Sequence, residues 1–258
     1  MSKIIINADD FGKSRDINEA IIYSMKIGLC KDTTLLVNFE NSKQAAEMAL
    51  AANLSKNVGI HINLTEGQPV SNSIIKEKRF CDENGFFHYK RNKRMIYLTS
   101  SEKNAVFEEL ISQIKLCRSF GIPISHADSH NHIHEEPGLA FIFFNVLKKE
   151  KIPFLRLTNN LAKNNIFKKT YRDLYNIILL QRKLKGSDYF GSIYDFLYLE
   201  KSIPKTSIVE LMIHPGMIVN NTEVFDIYSK DYLNQTIKII LENNELITYN
   251  ALRSFSKK

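Results

Sequence analysis

KIIINADDFG, residues 3–12, begins as an apolar run, passes through Asn7 and Ala8 to two adjacent aspartates, and ends on a glycine. Residues 3–8 read as a strand. The chain beyond reads as a helix, because Ile17, Ile21 and Met25 recur at four-residue spacing and Gly28 is placed to end it. The same alternation continues. Strand candidates lie at 3–8, 33–38, 58–63, 124–128, 153–157, 207–213 and 246–249, with further helical patterns at about 41–52, 102–119, 138–150, 166–185 and 231–243. Strand alternating with helix predicts a parallel sheet joined by crossovers. Seven candidate strands in 258 residues favour a closed or nearly closed barrel, an α/β fold of TIM-barrel-like (β/α) type with about seven parallel strands, over an open doubly wound sheet.

A barrel gives the polar residues a common address. Asp9 and Asp10 follow the first strand, His61 lies in the third, Arg156 ends the fifth and His214 follows the sixth. In a barrel of parallel strands the C-terminal strand ends open onto one face, where catalytic groups collect. The fourth strand runs into HADSHNHIH (126–134), which holds four of the seven histidines. By strand parity His126, Asp128, His130, His132 and His134 share a face. A helix would align only His126, His130 and His134. Pro123 before the row and Glu135-Glu136-Pro137-Gly138 after it favour a strand running into a loop.

Imidazoles beside carboxylates suit magnesium or a divalent transition metal, with one position left for water. Some of the histidines would then orient ligands rather than bind. Adjacent aspartates repel each other, and a cation relieves that repulsion. One can bind metal while the other takes a proton. Neighbours on a straight strand face opposite ways, so both reach one site only if the chain bends, and Gly12 permits a bend.

Composition narrows the remaining classes. No Gly/Ser- or Pro-rich linker divides the chain, so residues 1–258 are expected to form one domain with a sizeable core. MSKIIINADD holds too short an apolar run for a signal peptide, and no stretch approaches the roughly 20 apolar residues of a membrane span. Cys30, Cys81 and Cys117 are odd in number and far apart, which disfavours disulfides and a thiolate zinc site and points to the cytoplasm. Gly12-Lys13-Ser14 imitates the end of a P-loop, but position 7, where that motif needs glycine, is Asn. Neither G-x-S-x-G nor H-E-x-x-H occurs. His214-Pro215-Gly216 taken alone is a turn, and its place at the rim makes it a candidate.

The net charge of +7 raises nucleic acid as a partner. The excess is concentrated in Lys76, Lys78, Arg79, Lys90, Arg91, Lys93 and Arg94, and again in Lys163, Lys168, Lys169, Arg172, Arg182, Lys183 and Lys185. Neither segment matches a nucleic-acid module, so solvated surface is the main reading. The first stretch follows the third strand, on the catalytic face, where positive potential would favour an anionic substrate such as a phosphorylated sugar.

INADDFG (6–12), GIHINLTEG (59–67), SHADSHNHIH (125–134) and ELMIHPG (210–216) together resemble the YdjC-like carbohydrate deacetylases, which include chitooligosaccharide deacetylases. The resemblance runs through ENGFF (83–87), the arginine of FLRL (154–157) and YFG (189–191). It implies a barrel-like α/β hydrolase that removes acetyl groups from N-acetylglucosamine units with a divalent ion, most often magnesium, zinc or another transition metal being the alternative. Carried over by motif, Asp10, His61 and His130 would be metal ligands, Asp9 the general base for a metal-activated water, and His214 the group assisting the leaving amine or the oxyanion. His132, His134 and Arg156 would support the ligands or the substrate. The partner implied is an N-acetylated oligosaccharide, neutral or phosphorylated, with no membrane and with a homodimer left open. After HPG many relatives start a helix with Arg-x-x-Glu-Leu, where this chain reads DYLNQTI (231–237), so contacts at the C-terminal rim differ. Another metal-dependent hydrolase, such as a phosphoesterase, and a non-enzymatic sugar- or nucleic-acid-binding protein are the competing classes.

Overall fold

A computed structural model describes residues 1–91, 95–162, 166–181, 184, 186–220 and 222–255. The first half is built from β1 (Lys3–Phe11), α1 (Arg15–Lys26), β2 (Asp32–Leu35), α2 (Ser42–Ala51), β3 (Val58–Ile62), α3 (Asn72–Ile75), α4 (Ser100–Ser119) and β4 (Ala127–Ser129). The second half contains α5 (Pro137–Lys149), α6 (Ile166–Gln181), β5 (Tyr189–Ser192), α7 (Ile193–Leu199), β6 (Ile208–Ile213), β7 (Pro215–Val219), β8 (Glu223–Asp226), α8 (Leu233–Glu242), β9 (Glu245–Ile247) and α9 (Leu252–Phe255). Local chemistry sets several starts. The Ser14 side chain accepts from Ile17 N at the head of α1, Thr99 and Glu102 form a capping box on α4, and Pro137 sits in the first turn of α5.

The parallel sheet runs β4-β3-β2-β1-β6-β5 and curls into a half-barrel flanked by helices. β1 is its axis. One edge pairs with β6 along Lys3–Ala8, and the other is shared between β9 at Lys3–Ile5 and β2 from Asn7 onward. Seven parallel strands form, as the sequence predicts, with one change of membership. Segment 153–157 makes isolated bridges instead of a strand, one of them between Leu155 and Ala127, with Ala127 N donating to the Phe154 carbonyl and Arg156 N donating to the Ala127 carbonyl. Further along, Asn160 N and Leu161 N donate to the Phe190 carbonyl of β5. The stretch 154–161 thereby carries backbone bonds from β4 to β5. β5 escapes the sequence reading because YFGS is four residues long and contains glycine, too short a pattern to register as period two.

Parity along β1 separates core from site. Ile4 and Ile6 pack in the large cluster shared with the helices. Ile5 packs with Phe154, Ile247, Tyr249 and Leu252 in a smaller cluster. Asn7 and Asp9 follow Ile5 on that inner face. Among the described residues no helix is long and apolar enough to cross a membrane.

Candidate metal centre and reactive cleft

The bend expected at Asp9-Asp10 exists, and it begins at Asp10 itself. The β1–β2 register slips between Ala8 and Phe11, and Asp10 has φ 69, followed by Gly12 at φ 100. Aspartate is among the few side chains that tolerate the left-handed region. A Cβ on Gly12 would lie 2.5 Å from the Leu36 carbonyl oxygen, so glycine is needed there for space as well as for its φ. The extra residue turns Asp10 toward the same interior that Asp9 faces.

Asp10, His61 and His130 then converge. Asp10 Oδ1 lies 2.8 Å from His130 Nδ1 and 3.4 Å from His61 Nε2, and one donor atom from each residue falls within 4.8 Å of the others. All three residues are buried. Asp10 Oδ1 makes no well-directed hydrogen bond despite these short contacts. A carboxylate oxygen and two ring nitrogens gathered this closely, with no hydrogen bond satisfying Asp10 Oδ1, fit a cation between them. The surrounding charge agrees. Burial alone would raise the Asp10 carboxyl, but His130 and His61 hold it well below the carboxylate range. Burial would lower the His61 ring, yet the Asp128 charge and the contacts to Asp10 and Asp128 push it up to about 10. Groups that stabilise a proton at this point stabilise a metal ion there too, at the expense of that proton. His61 is oriented by Asp128, whose Oδ1 is 2.6 Å from Nδ1, and the outer nitrogen of His130 lies 3.1 Å from Glu66 Oε1. Carboxylates behind ligating histidines are the usual support of a metal site.

Asp9 is held differently. Arg156, fully buried, donates to both its oxygens, from Nη1 at 2.6 Å and Nη2 at 2.7 Å, and Asn7 Nδ2 adds a bond of 2.8 Å. Burial would raise the Asp9 carboxyl, and the Arg156 charge with its two hydrogen bonds reverses this, keeping Asp9 ionised well below the ordinary range. Arg156 also lies 2.8 Å from Asp128 and donates to Glu210 from Nε at 2.7 Å, with its guanidinium over the Phe190 ring. His214 Nε2 stands 3.9 Å from Asp9 Oδ2. The backbone N of His214 donates to Asp226, and its ring meets Tyr228 edge-on at 4.4 Å.

The histidine row does not stay on one face. β4 ends at Ser129, and Asn131 and His132 adopt left-handed angles in the tight turn 130–135. His126 lies below the site, its Nδ1 2.8 Å from Ser125 Oγ and its Nε2 3.0 Å from Asn7 Oδ1, with the ring stacked on Tyr249 at 3.8 Å. Burial lowers it to about 3, so it stays neutral. His132 reaches the cleft, whereas His134 turns into the core against Phe143 and Tyr175, its Nδ1 2.5 Å from Ser129 Oγ. The reversal at 131–132 defeats strand parity, because two left-handed residues re-aim everything after them.

Packing of His126 gives a stability test. A Cβ on Gly59 would lie 2.7 Å from the His126 carbonyl oxygen and 2.8 Å from its ring. Gly59→Ala should destabilise the fold by about 1–3 kcal/mol through overpacking, read as a lower denaturant midpoint; an unchanged midpoint refutes the close packing.

Asp9, Asp10, His61, His130, His132, His214 and Tyr228 line one open cavity of about 580 Å³. Sequence reading assigned no role to Tyr228, Glu66, Asp128, Glu210 or Tyr249. Glu210 carried a signal, a charge in the apolar run IVELMI, and its carboxyl receives the Tyr249 hydroxyl. Tyr228, whose hydroxyl donates to Asp10 Oδ2 at 3.3 Å, carried none, because the turn after β8 that presents it is not read from local pattern. Of the basic stretch 76–94, Arg79 is paired with Glu102, and Arg91 with Glu135 and Glu136, while Lys90 lines a cavity that adjoins the site at Asn131 and His132. Lys93, Arg94, Lys163, Arg182, Lys183 and Lys185 lie outside the described residues.

A model of the YdjC-like protein family matches residues 3–253. A carbohydrate deacetylase of Vibrio cholerae serotype O1 is 34% identical over 153 residues, 58% of this chain and 57% of that protein, so the match spans little more than half of the relative's length. A carbohydrate deacetylase of Oceanobacillus iheyensis is 29% identical over 216 residues, 84% of this chain and 86% of that protein. A solved structure from Enterococcus faecalis V583, of a protein named for cellobiose-phosphate cleavage, aligns over 97% of this chain and 98% of its own with TM-score 0.73 and 22% identity. A lactam utilization protein from Thermus thermophilus aligns over 95% of this chain and 99% of its own with TM-score 0.54 and 13% identity. Both likenesses are of fold.

Proposed function

Because the chain belongs to the YdjC-like family, we propose that it is a divalent-metal-dependent carbohydrate N-deacetylase, a hydrolase that cleaves acetyl groups from N-acetylglucosamine-containing oligosaccharides. The observation that carries the reading is the side-by-side placement of a cation-ready trio, Asp10, His61 and His130, and a separate pair, Asp9 and His214, in one cleft. A divalent ion held by the trio would supply Lewis acidity to the acetyl oxygen and the attacking water. Magnesium is the ion the family resemblance implies, and the two imidazoles also suit zinc or another transition metal.

The rest of the chemistry falls to the chain's own groups. Asp9 Oδ2 receives the proton that water gives up as its oxygen joins the acetyl carbon. His214 Nε2 delivers a proton to the nitrogen as the C–N bond breaks, and the proton held by Asp9 then passes to His214 and restores both groups. The 3.9 Å between these atoms lets both address one reacting amide. Arg156 fixes the orientation of Asp9 and lowers its basicity, so Asp9 holds the proton only in passing. His132 borders the substrate, and His134 acts through the packing of the 130–135 turn.

The test is acetate release from N-acetylated sugars, neutral and phosphorylated, before and after chelation and metal return. Acetate release that disappears with chelator and returns with one divalent ion is expected; phosphate release instead assigns the site to a phosphoesterase. The anionic-substrate expectation rests on Lys90. If it holds, turnover of the phosphorylated sugar exceeds that of the neutral one and falls with salt, and equal rates at every ionic strength refute it.

A further inference from the structure

The cleft continues past the reacting groups. Met212, His214 and Tyr228 belong also to a second cavity of about 630 Å³, floored by Ile193 and Leu233. That cavity shares Tyr194 and Thr236 with a third, open one bordered by Tyr232 and Gln235. A single trough therefore leads from Asp9 and Asp10 outward over α7 and α8. Tyr228, Tyr194 and Tyr232 stand along it, 56%, 46% and 50% exposed.

Three half-exposed tyrosines line this one trough, and each is held in place. Tyr228 rests edge-on against His214, the Tyr194 hydroxyl donates to Asp231, and Tyr232 meets Phe225 edge-on at 5.7 Å. Fixed aromatic rings with one free face suit a ligand that has flat apolar C–H faces and a polar rim. A pyranose ring has that form. Hydroxyl and amide partners stand beside the rings in Thr236 and Gln235, and Glu223 and Asp231 at the outer end disfavour an anionic occupant. The second cavity opens directly onto the reacting groups, and its apolar floor suits a sugar ring.

We propose that this trough binds the neutral continuation of an oligosaccharide, with successive sugar units stacked on Tyr228, Tyr194 and Tyr232 while one N-acetyl group lies at Asp9 and His214. The proposal rests on the deacetylase reading and adds to it a preference for chains longer than two units. It also names the side of the site on which they extend.

The experiment compares N-acetylglucosamine oligomers of two to five units. In the wild type, kcat/KM should rise about tenfold or more between two and four units, the order of gain that one or two well-packed aromatic contacts provide. Tyr194→Ala and Tyr232→Ala should flatten that rise, while Tyr232→Phe, whose ring is held edge-on by Phe225 and not by its hydroxyl, retains it. Equal kcat/KM at all lengths overturns the proposal, and so does a rise that survives both alanine variants. Loss of the rise in Tyr232→Phe assigns the effect to the hydroxyl and overturns the stacking. Calorimetry of the oligomers on metal-loaded Asp9→Asn protein separates binding from chemistry. A tetramer bound at least about tenfold tighter than the dimer supports the trough even if no sugar releases acetate, a result that would sink the deacetylase reading alone. Equal affinities, or no binding, overturn the trough whatever the activity.

Discussion

Asp9→Asn is expected to keep the bound metal and lose about 10²–10⁴-fold in turnover, the usual contribution of a general base. Asp10→Asn is expected to lose the metal first. The two residues are adjacent in sequence, and their surroundings divide them. Asp10 faces His61 and His130 and has an oxygen without a well-directed hydrogen bond, whereas both oxygens of Asp9 are taken by Arg156. Asparagine is the informative substitute at position 10 because it tolerates the φ of 69 observed there, so the variant changes charge without disturbing the bend. Metal content of the purified variants and acetate release at saturating metal are the measurements. Metal loss in Asp9→Asn with retention in Asp10→Asn reverses the roles, and full activity in both removes the mechanism.

Arg156→Met should destabilise the protein by about 3–5 kcal/mol, because it strands buried carboxylates whose partner is gone. Asp9, Asp128 and Glu210 all contact the guanidinium, and none is more than 3% exposed. The pH dependence identifies the cause. In the wild type the folded pKa of Asp9 is depressed below its ordinary value of 3.8, so its stabilisation is present above that pH and is lost as pH falls through the folded value. In the variant, burial without the arginine raises the Asp9 carboxyl, so acidification relieves the strain. The gap between the two proteins should therefore be widest near neutrality and shrink below about pH 4. Arg156→Lys should recover only part, since an ammonium cannot engage both Asp9 oxygens in a planar fork. A gap that is constant with pH would mean lost packing, not stranded charge.

Much of this was open to reading in one dimension. Helices announced themselves through spacing, as in α1 and α4, because periodicity over ten or more residues is a strong signal. Strands rich in aliphatic residues, such as IIIN and VGIHIN, were equally plain. Shorter elements were not. YFGS pairs as a full member of the sheet only because β6 lies beside it, and LRL, which reads better as a strand, makes one bridge before leaving to reach β5.

For the candidate site, the sequence by itself determined the cast: adjacent aspartates at the end of an apolar strand, a histidine within another, a histidine row, and an arginine and a histidine at two further strand ends. It also determined their convergence, since parallel strands joined by helices must bring their C-terminal ends to one face. Tertiary structure decided the division of labour. Nothing local distinguishes Asp9 from Asp10. Arg156, 147 residues away from Asp9, neutralises one, while a bulge in β1 with Asp10 at positive φ turns the other toward two imidazoles. Nothing local distinguishes the histidines of the row either, until two left-handed residues just after His130 turn His134 into the core while His130 stays at the cleft. Charge and burial set what an ionisable side chain does, and both are sums over neighbours that only the folded chain supplies.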